Sequence, residues 1–243
     1  MTGRDTRSPN QPEKIVTKHL PPIIDARHQT QHETKMKLPK PSHDFELCPA
    51  GNHLAVCCRV IDIGTQDITY QGRVTSQRKV FVEWQIPAER TIDGEPVTIG
   101  KRYTLSSSEK SNLRRDLESW RGKRFTDADF DGDNAFDLSS ILGASCFLSV
   151  VHNDRNGQTY ADVTSVAGLP KGTPKPKIEG HTVYLSLEPM AFEPAVFESL
   201  SDKFREVIAS SPEYRAMLQD AGHSRQTREQ NGTSADGGDD IPF

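Results

Sequence analysis

The sequence lacks any apolar run that approaches the roughly 18 residues needed to cross a bilayer. Its first residues, MTGRDTRSPNQPEK, contain no hydrophobic signal region. Only 34% of the 243 residues are hydrophobic, which is low for a chain folded from end to end. These absences argue against a membrane or secreted protein. They predict an intracellular chain with one modest core and disordered arms.

Cysteine is scarce, and recognisable catalytic motifs are missing. Four cysteines, two of them adjacent in an apolar run, do not make a disulfide framework. Paired CxxC spacing is absent, so buried reduced thiols are favoured over a metal set of Cys48, His53, Cys57 and Cys58. The chain has no P-loop, GxSxG or HExxH motif. We therefore expect a non-enzymatic protein without metal or cofactor.

An excess of positive charge is also missing. The net charge is −4, although residues 1–42 hold eight basic and four acidic residues. Residues 43–171 hold 15 basic and 18 acidic residues. The summed charge of this region is no evidence for a nucleic-acid partner, so any basic surface must come from local clustering.

The middle of the chain does contain strand patterns. In RKVFVEWQIP the apolar residues Val80, Val82, Trp84 and Ile86 fall on one face, and Phe81 falls on the other. This alternation predicts a half-buried strand. It places Trp84 in the core and leaves Phe81 as an exposed aromatic ring.

The order of the predicted elements indicates the fold class. Three strands come first, then a helix within 106–122 and a short one over 135–143, and finally two strands joined by a turn at Asn156-Gly157. The strand patterns cover 53–64, 78–87, 96–106, 144–152 and 158–169. This order predicts a mainly β protein with α, specifically the five-stranded Greek-key barrel called the OB-fold, with a helix between strands three and four. Other small α+β topologies give the same order.

Composition divides the chain into five predicted segments. They are a disordered N-terminal arm (1–42), the OB-fold domain (43–171), a linker (172–191), a helical segment (192–222) and a disordered acidic tail (223–243). The linker contains HTVYLSLEP, which is predicted to add an edge strand. Ser211-Pro212 is predicted to divide the helical segment into two helices.

The last residues of the sequence form a recognisable motif. A glycine-containing polar tether precedes Asp239, Asp240, Ile241, Pro242 and Phe243. This stretch resembles the acidic tip of bacterial single-stranded DNA-binding proteins, which ends in an aspartate-rich run followed by Ile-Pro-Phe. The resemblance implies a docking peptide whose apolar ring and carboxylate enter a small pocket with a basic rim on a partner protein.

A second resemblance covers about residues 50–172. The stretches RKVFVEWQIP, EKSNLRRDLESWRGKRFT, FDLSSILGASCFLSVVH and YADVTSVAGLPKG are similar to the OB-fold single-stranded DNA-binding proteins of bacteriophages and prophages. The resemblance implies protection of single-stranded DNA during replication, recombination or repair in the cytoplasm of a bacterial host. It also implies recruitment of host or phage enzymes, and a homo-oligomer is possible.

Binding of single-stranded DNA needs cations along the backbone path and flat rings beneath the bases. The sequence offers both types of residue within the predicted domain. The candidate contacts are Arg59, Arg73, Arg78, Lys79, Phe81, Lys101, Arg102, Tyr103, Arg121, Lys123, Arg124 and Tyr160. Two other functions fit the same sequence: a strand-annealing recombination protein, and an adaptor that binds proteins only.

Overall fold

The computed structural model describes residues 47–132 and 135–219. These residues belong to one compact unit. The predicted N-terminal arm and the whole of the predicted acidic tail, including the five residues of its tip, lie outside the described residues. No helix within the described ranges is long and apolar enough to cross a membrane.

Two long antiparallel strands form the centre of the fold. Strand β1 spans Gly51–Tyr70 and strand β2 spans Arg73–Arg90. The turn between them uses Gln71 and Gly72, both at positive φ, which matches the twist of the strands it joins. Both strands extend beyond their predicted bounds. Gly64, predicted to end the first strand, instead lies at a β-bulge where the pairing with β2 shifts register.

Three further strands complete the main sheet. They are β3 (Pro96–Thr104), β4 (Ser145–Arg155) and β5 (Gln158–Ala167). Hydrogen bonding gives the order β3-β2-β1-β4-β5, with every neighbouring pair antiparallel. The predicted turn at Asn156-Gly157 is confirmed, since both residues have positive φ. The structure is therefore mainly antiparallel β with short helices, as predicted.

The main core lies against the face of β2 on which the alternating pattern placed the apolar residues. Trp84 is 1% exposed, and Val80, Val82 and Ile86 are buried beside it. The four cysteines are free and buried, as expected. Burial raises the pKa of the Cys48 thiol to about 11, so these thiols have little tendency to ionise.

One helix closes the core, in the predicted place between β3 and β4. Helix α1 spans Asn112–Arg121 and ends at Gly122, whose φ of 68° is the left-handed conformation that glycine favours. Leu113 and Leu117 are buried on its inner face, and Trp120 packs beside them. The Trp120 indole N–H donates to the backbone carbonyl of Ser145 at 2.8 Å. The short helix predicted over 135–143 is only a single 3-10 turn at Leu138–Ile141.

The segment predicted as a linker and separate helices packs directly on the sheet. Strand β6 (Val183–Leu185) pairs in parallel with β1, which confirms the predicted extra strand. Three helical pieces follow rather than two: α2 (Pro194–Ser199), α3 (Asp202–Ala209) and α4 (212–219). Residues on both sides of position 171 thus belong to the same compact unit. The reason is a second apolar cluster between the outer face of β1 and these helices.

The second cluster is built from both sides of that contact. The sheet and β6 contribute Ile61, Ile63 and Leu185, and the helices contribute Phe197 and Ile208. These side chains are at most 7% exposed. Burying a large aliphatic or aromatic side chain stabilises a fold by about 1.5–3 kcal/mol. Because their apolar surface is largely removed from water, the helices form an integral part of the compact unit.

A carboxylate of helix α4 also accepts hydrogen bonds from β1. Glu213 accepts hydrogen bonds from the Thr65 backbone N–H, at 2.9 Å, and from the Thr65 hydroxyl. Burial by itself would raise the pKa of the Glu213 carboxyl, but these hydrogen bonds outweigh it and lower the pKa below its ordinary 4.5.

A carboxyl group with a depressed pKa in the folded state stabilises the fold above its unfolded pKa. That contribution is lost as the pH falls through the folded value. We expect Glu213→Gln to lower the free energy of unfolding by about 1 kcal/mol at pH 7 and to have little effect at a pH well below the folded pKa of Glu213. Urea unfolding of both proteins at the two pH values measures this difference. An equal loss at both pH values would show that the carboxylate charge is irrelevant.

Candidate nucleic-acid interface

The predicted cationic contacts differ in whether a carboxylate of the protein itself pairs with them. Four of the nine predicted cations are held by carboxylates of the protein itself. The ion pairs are Arg59 with Glu83, Arg78 with Asp62 and Glu188, Lys101 with Asp116, and Arg121 with Asp129. A cation that is neutralised within the fold offers less attraction to a phosphate. These four are therefore weaker candidates than the sequence indicated.

Arg78 shows most clearly that a predicted DNA contact is held by the protein's own carboxylates. One guanidinium nitrogen lies 2.6 Å from Asp62 Oδ2 and 2.9 Å from Glu188 Oε1. Asp62 is only 7% exposed, and its other oxygen accepts from the Gly64 backbone N–H. Hydrogen bonding to Asp62 raises the pKa of Arg78 even though burial opposes this. Arg78 thus compensates a buried charge and joins β2 to the segment after β6.

We expect Arg78→Gln to destabilise the protein rather than to reduce DNA binding. Its loss leaves Asp62 without a cation, which costs about 2 kcal/mol of unfolding free energy at this partly exposed site. Urea unfolding and oligonucleotide binding, measured on the same preparation, separate the two effects. A tenfold loss of affinity with unchanged stability would return Arg78 to the interface.

Phe81 is not an exposed stacking platform, contrary to the sequence prediction. Its ring meets the Phe204 ring of α3 edge to face, with centroids 4.9 Å apart. On the other side it lies over Gly100 of β3, where a Cβ atom would overlap the ring. The helical segment covers the outer face of the strands at this point. The Phe81 ring is thus packed against the protein's own side chains and is only partly exposed.

Tyr103 is likewise unavailable for stacking. It is 3% exposed, and its hydroxyl donates to Asp116 Oδ2 at 2.9 Å. Lys101 Nζ donates to the same oxygen at 2.8 Å. Residues 101 and 103 pair with Val82 and Val80, which belong to the core face. Tyr103 therefore contributes an aromatic ring to the core, and Lys101 pairs with the carboxylate of Asp116. Both predicted contacts stabilise the fold.

Two other predicted cations lie together on the opposite face of the strands. Lys79 and Arg102 line a concavity of about 390 Å³ beside β3, which we call the β3 pocket. Lys110, from the loop before α1, lines it as well. The remaining lining residues are polar or aromatic: Tyr103, Thr104, Ser106, Ser108, Ser111 and Asn112. The pocket thus combines three cations with four hydroxyl-bearing Ser and Thr residues.

The charge in the β3 pocket is uncompensated. No carboxylate lines the pocket among the described residues. Lys79 Nζ donates only to the neutral oxygens Gln77 Oε1, at 2.8 Å, and Thr104 Oγ1, at 2.7 Å. Burial lowers the pKa of Lys79, and no anionic neighbour in the described chain reverses this shift. A bound anion would stabilise the charged form of Lys79.

One residue that lines the pocket also has a buried hydroxyl without a hydrogen-bond partner. Ser111 Oγ is buried and unpaired, one of two such side-chain atoms among the described residues. Ser111 is the N-cap of α1, yet its side chain does not cap the helix. A buried hydroxyl without a partner costs free energy unless something fills the site. A ligand oxygen that reached the start of α1 would satisfy this hydroxyl.

Sequence reasoning missed Lys110 and the serines of this loop. They lie in SSSEKSN, at the start of the helix predicted within 106–122, and none of them was predicted as a DNA contact. The signal was present, because several hydroxyls and a lysine directly before an exposed helix start are typical of anion contacts. The same loop contains Glu109, which does not line the pocket and whose carboxylate lies 4.0 Å from the Arg114 guanidinium.

The other predicted contacts lie outside the β3 pocket. Arg73 is exposed beside the β1–β2 turn, and Lys123 and Arg124 are exposed after α1. Tyr160 is 39% exposed, and the Arg155 guanidinium lies 5.6 Å from its ring centroid. The structure does not gather these four residues with the pocket residues. Tyr160 is the most exposed of the three predicted aromatic contacts.

The tip residues Asp239, Asp240, Ile241, Pro242 and Phe243 lie outside the described residues. Their predicted role in partner binding therefore rests on the sequence resemblance alone. No protein-family model matches this chain, and no curated protein is significantly similar to it.

Proposed function

We propose that this protein binds single-stranded DNA without strong sequence preference and recruits replication or repair enzymes through Asp239–Phe243. The observation that carries the DNA-binding part is the β3 pocket, where Lys79, Arg102 and Lys110 meet without a carboxylate. Phosphates supply most of the sequence-independent affinity in nucleic-acid binding. A cluster of unpaired cations in a concave site is the arrangement that such binding requires.

The strand connections support a finer proposal, that the sheet is an OB-fold barrel. In that fold the first strand pairs with both the second and the fourth, and a helix commonly lies between strands three and four. Here β1 pairs with β2 and β4, and α1 lies between β3 and β4. Residues of β3 also lie within 8 Å of residues of β5, so the two ends of the sheet approach each other.

We place the DNA path along β3 rather than across the middle of β1 and β2. Phe81 is covered by α3, so the usual strand face is occupied by the protein's own chain. The β3 pocket lies on the same outer face, but no residue of the helical segment lines it, and its cations favour contacts to the sugar–phosphate backbone. Backbone contacts carry no sequence information, which fits binding without strong sequence preference.

Fluorescence anisotropy with matched labelled oligonucleotides, one single-stranded and one duplex, tests this function. We expect tight binding to the single strand only, with affinity that falls as salt rises because phosphate contacts release counterions. Binding to neither oligonucleotide would overturn the DNA proposal and favour the protein-only adaptor. Rapid pairing of complementary strands would instead identify an annealing protein.

The tip is tested separately by deleting Phe243. We expect affinity for single-stranded DNA to stay within about twofold, because the β3 pocket is untouched, and capture of replication enzymes to be lost. The measurement is a pull-down from bacterial extract, probed for replication and recombination enzymes, with DNA binding measured in parallel. A variant that replaces Ser234 with alanine is the control. Unchanged capture without Phe243 would refute the docking role.

A further inference from the structure

We propose that the β3 pocket receives the terminal phosphate monoester of a DNA strand, in preference to an internal phosphodiester. The inference rests on the proposed function, since it names the part of the strand that enters this site. It would make the protein a binder of strand ends as well as of strand interiors. Its basis is the charge and the number of free hydrogen-bond donors in the pocket.

The positive charge of the pocket is larger than the single negative charge of one phosphodiester. An internal phosphodiester carries a single negative charge. A phosphate monoester carries about −1.5 to −2 near pH 7, because its second pKa lies near 6. Three cations, Lys79, Arg102 and Lys110, face the pocket, and no lining carboxylate in the described chain offsets them. A dianion neutralises this excess better than a monoanion does.

The hydroxyl groups of the pocket point to the same ligand. Ser106 Oγ accepts from the Ser108 backbone N–H, and Ser108 Oγ accepts from the Lys110 backbone N–H. Each of these hydroxyls keeps its own hydrogen for donation, and Ser111 Oγ has no partner among the described residues. Three hydroxyl donors are thus available. A monoester has three terminal oxygens to accept them, whereas a diester has two.

Lys79 and the start of α1 complete the donor set. Lys79 has three N–H donors, of which two are used on Gln77 and Thr104. Helix α1 has ten residues, no acidic residue in its first turn and no side-chain cap. Its unsatisfied N–H groups add positive potential on the side of the pocket that Ser111 and Asn112 line. These donors support a small, strongly charged anion.

The test uses the full-length protein and three labelled single strands of identical sequence. One strand has a 5′-phosphate, one a 3′-phosphate, and one has hydroxyls at both ends. We expect one phosphorylated strand to bind about tenfold more tightly than the unphosphorylated strand, as expected for additional charge-assisted hydrogen bonds. Inorganic phosphate should remove this advantage, and the preferred end identifies the source of the monoester.

Ser111→Ala is the diagnostic variant, because it removes the unpaired hydroxyl without changing charge. It should reduce the preference for the phosphorylated strand at least threefold. Ser107→Ala, an exposed neighbour that does not line the pocket, should retain the preference. Equal affinity for all three strands would overturn this inference and leave the proposed function intact. Failure of every strand to bind would overturn both.

Discussion

Replacing Lys79 and Arg102 together with glutamine is expected to weaken binding of single-stranded DNA by about 10- to 100-fold at low salt. The two residues supply two of the three unpaired cations of the β3 pocket. Neither is part of an ion pair with a described carboxylate, so removing them leaves no buried charge behind. The loss should therefore appear in affinity, with little change in the free energy of unfolding.

The salt dependence of binding provides a second measurement on the same variant. Each phosphate contact on a single strand contributes about −0.7 to the slope of log affinity against log salt. Loss of two contacts should thus make the slope shallower by about 1.4. Affinity and slope falling together would identify a direct phosphate contact rather than a general change in the protein.

A matched control separates the pocket from the net charge of the protein. Lys203 and Arg215 are exposed cations on the helical face, and replacing both with glutamine makes the same change in total charge. We expect affinity within about threefold of the wild type, because long-range attraction is screened over roughly 10 Å at ordinary salt. Equal losses in the two double variants would contradict a specific role for the β3 pocket.

The sequence correctly predicted which face of β2 is buried and where one hairpin turns. Strict alternation along β2 placed Trp84 in the core, and Asn156-Gly157 marked a hairpin. These features are local, because a side-chain period of two and a two-residue turn are decided by neighbours in the chain. The helix predicted within 106–122 is local in the same sense, since α1 begins after Ser111 and ends at Gly122.

Whether a cation is ion-paired within the fold was not decided by its neighbours in the sequence. Arg78 is paired with Glu188, 110 positions further along the chain, and with Asp62 across a strand pair. Nothing near Arg78 in the sequence distinguishes it from Lys79, which remains free of carboxylates. Ion pairing within a fold depends on which strands become neighbours. A list of basic residues in strands therefore overstates the basic surface.

Phe81 shows the same limit for aromatic residues. Its position on the polar side of an alternating strand correctly predicted that it lies outside the main core. It did not reveal that Phe204, 123 positions later, would cover the ring. The helical segment has an apolar stripe of its own, and such a stripe indicates that something is covered without indicating what.

The largest effect on stability is expected where α4 meets the bulge of β1. Gly64 has a φ of 69°, and a Cβ atom there would overlap the Ser211 side chain. Ser211 is fully buried at the start of α4. Gly64→Ala should therefore lower the free energy of unfolding by about 3 kcal/mol, from the left-handed backbone and from overpacking together.

Gly72→Ala is the control for the backbone contribution. Gly72 has a similar φ of 76°, and no atom lies within 4 Å of the position that its Cβ would occupy. That variant should lose only about 1 kcal/mol. The difference between the two variants, measured by urea unfolding, isolates the contact with Ser211.

Combining Gly64→Ala with Ser211→Gly tests that assignment directly. Removing the Ser211 side chain relieves the overlap, while loss of its weak hydrogen bond from the Tyr214 N–H should cost only a few tenths of a kcal/mol. We therefore expect the double variant to be more stable than Gly64→Ala alone, with a coupling of about 1–2 kcal/mol. Strictly additive losses would mean that α4 does not pack on the β1 bulge.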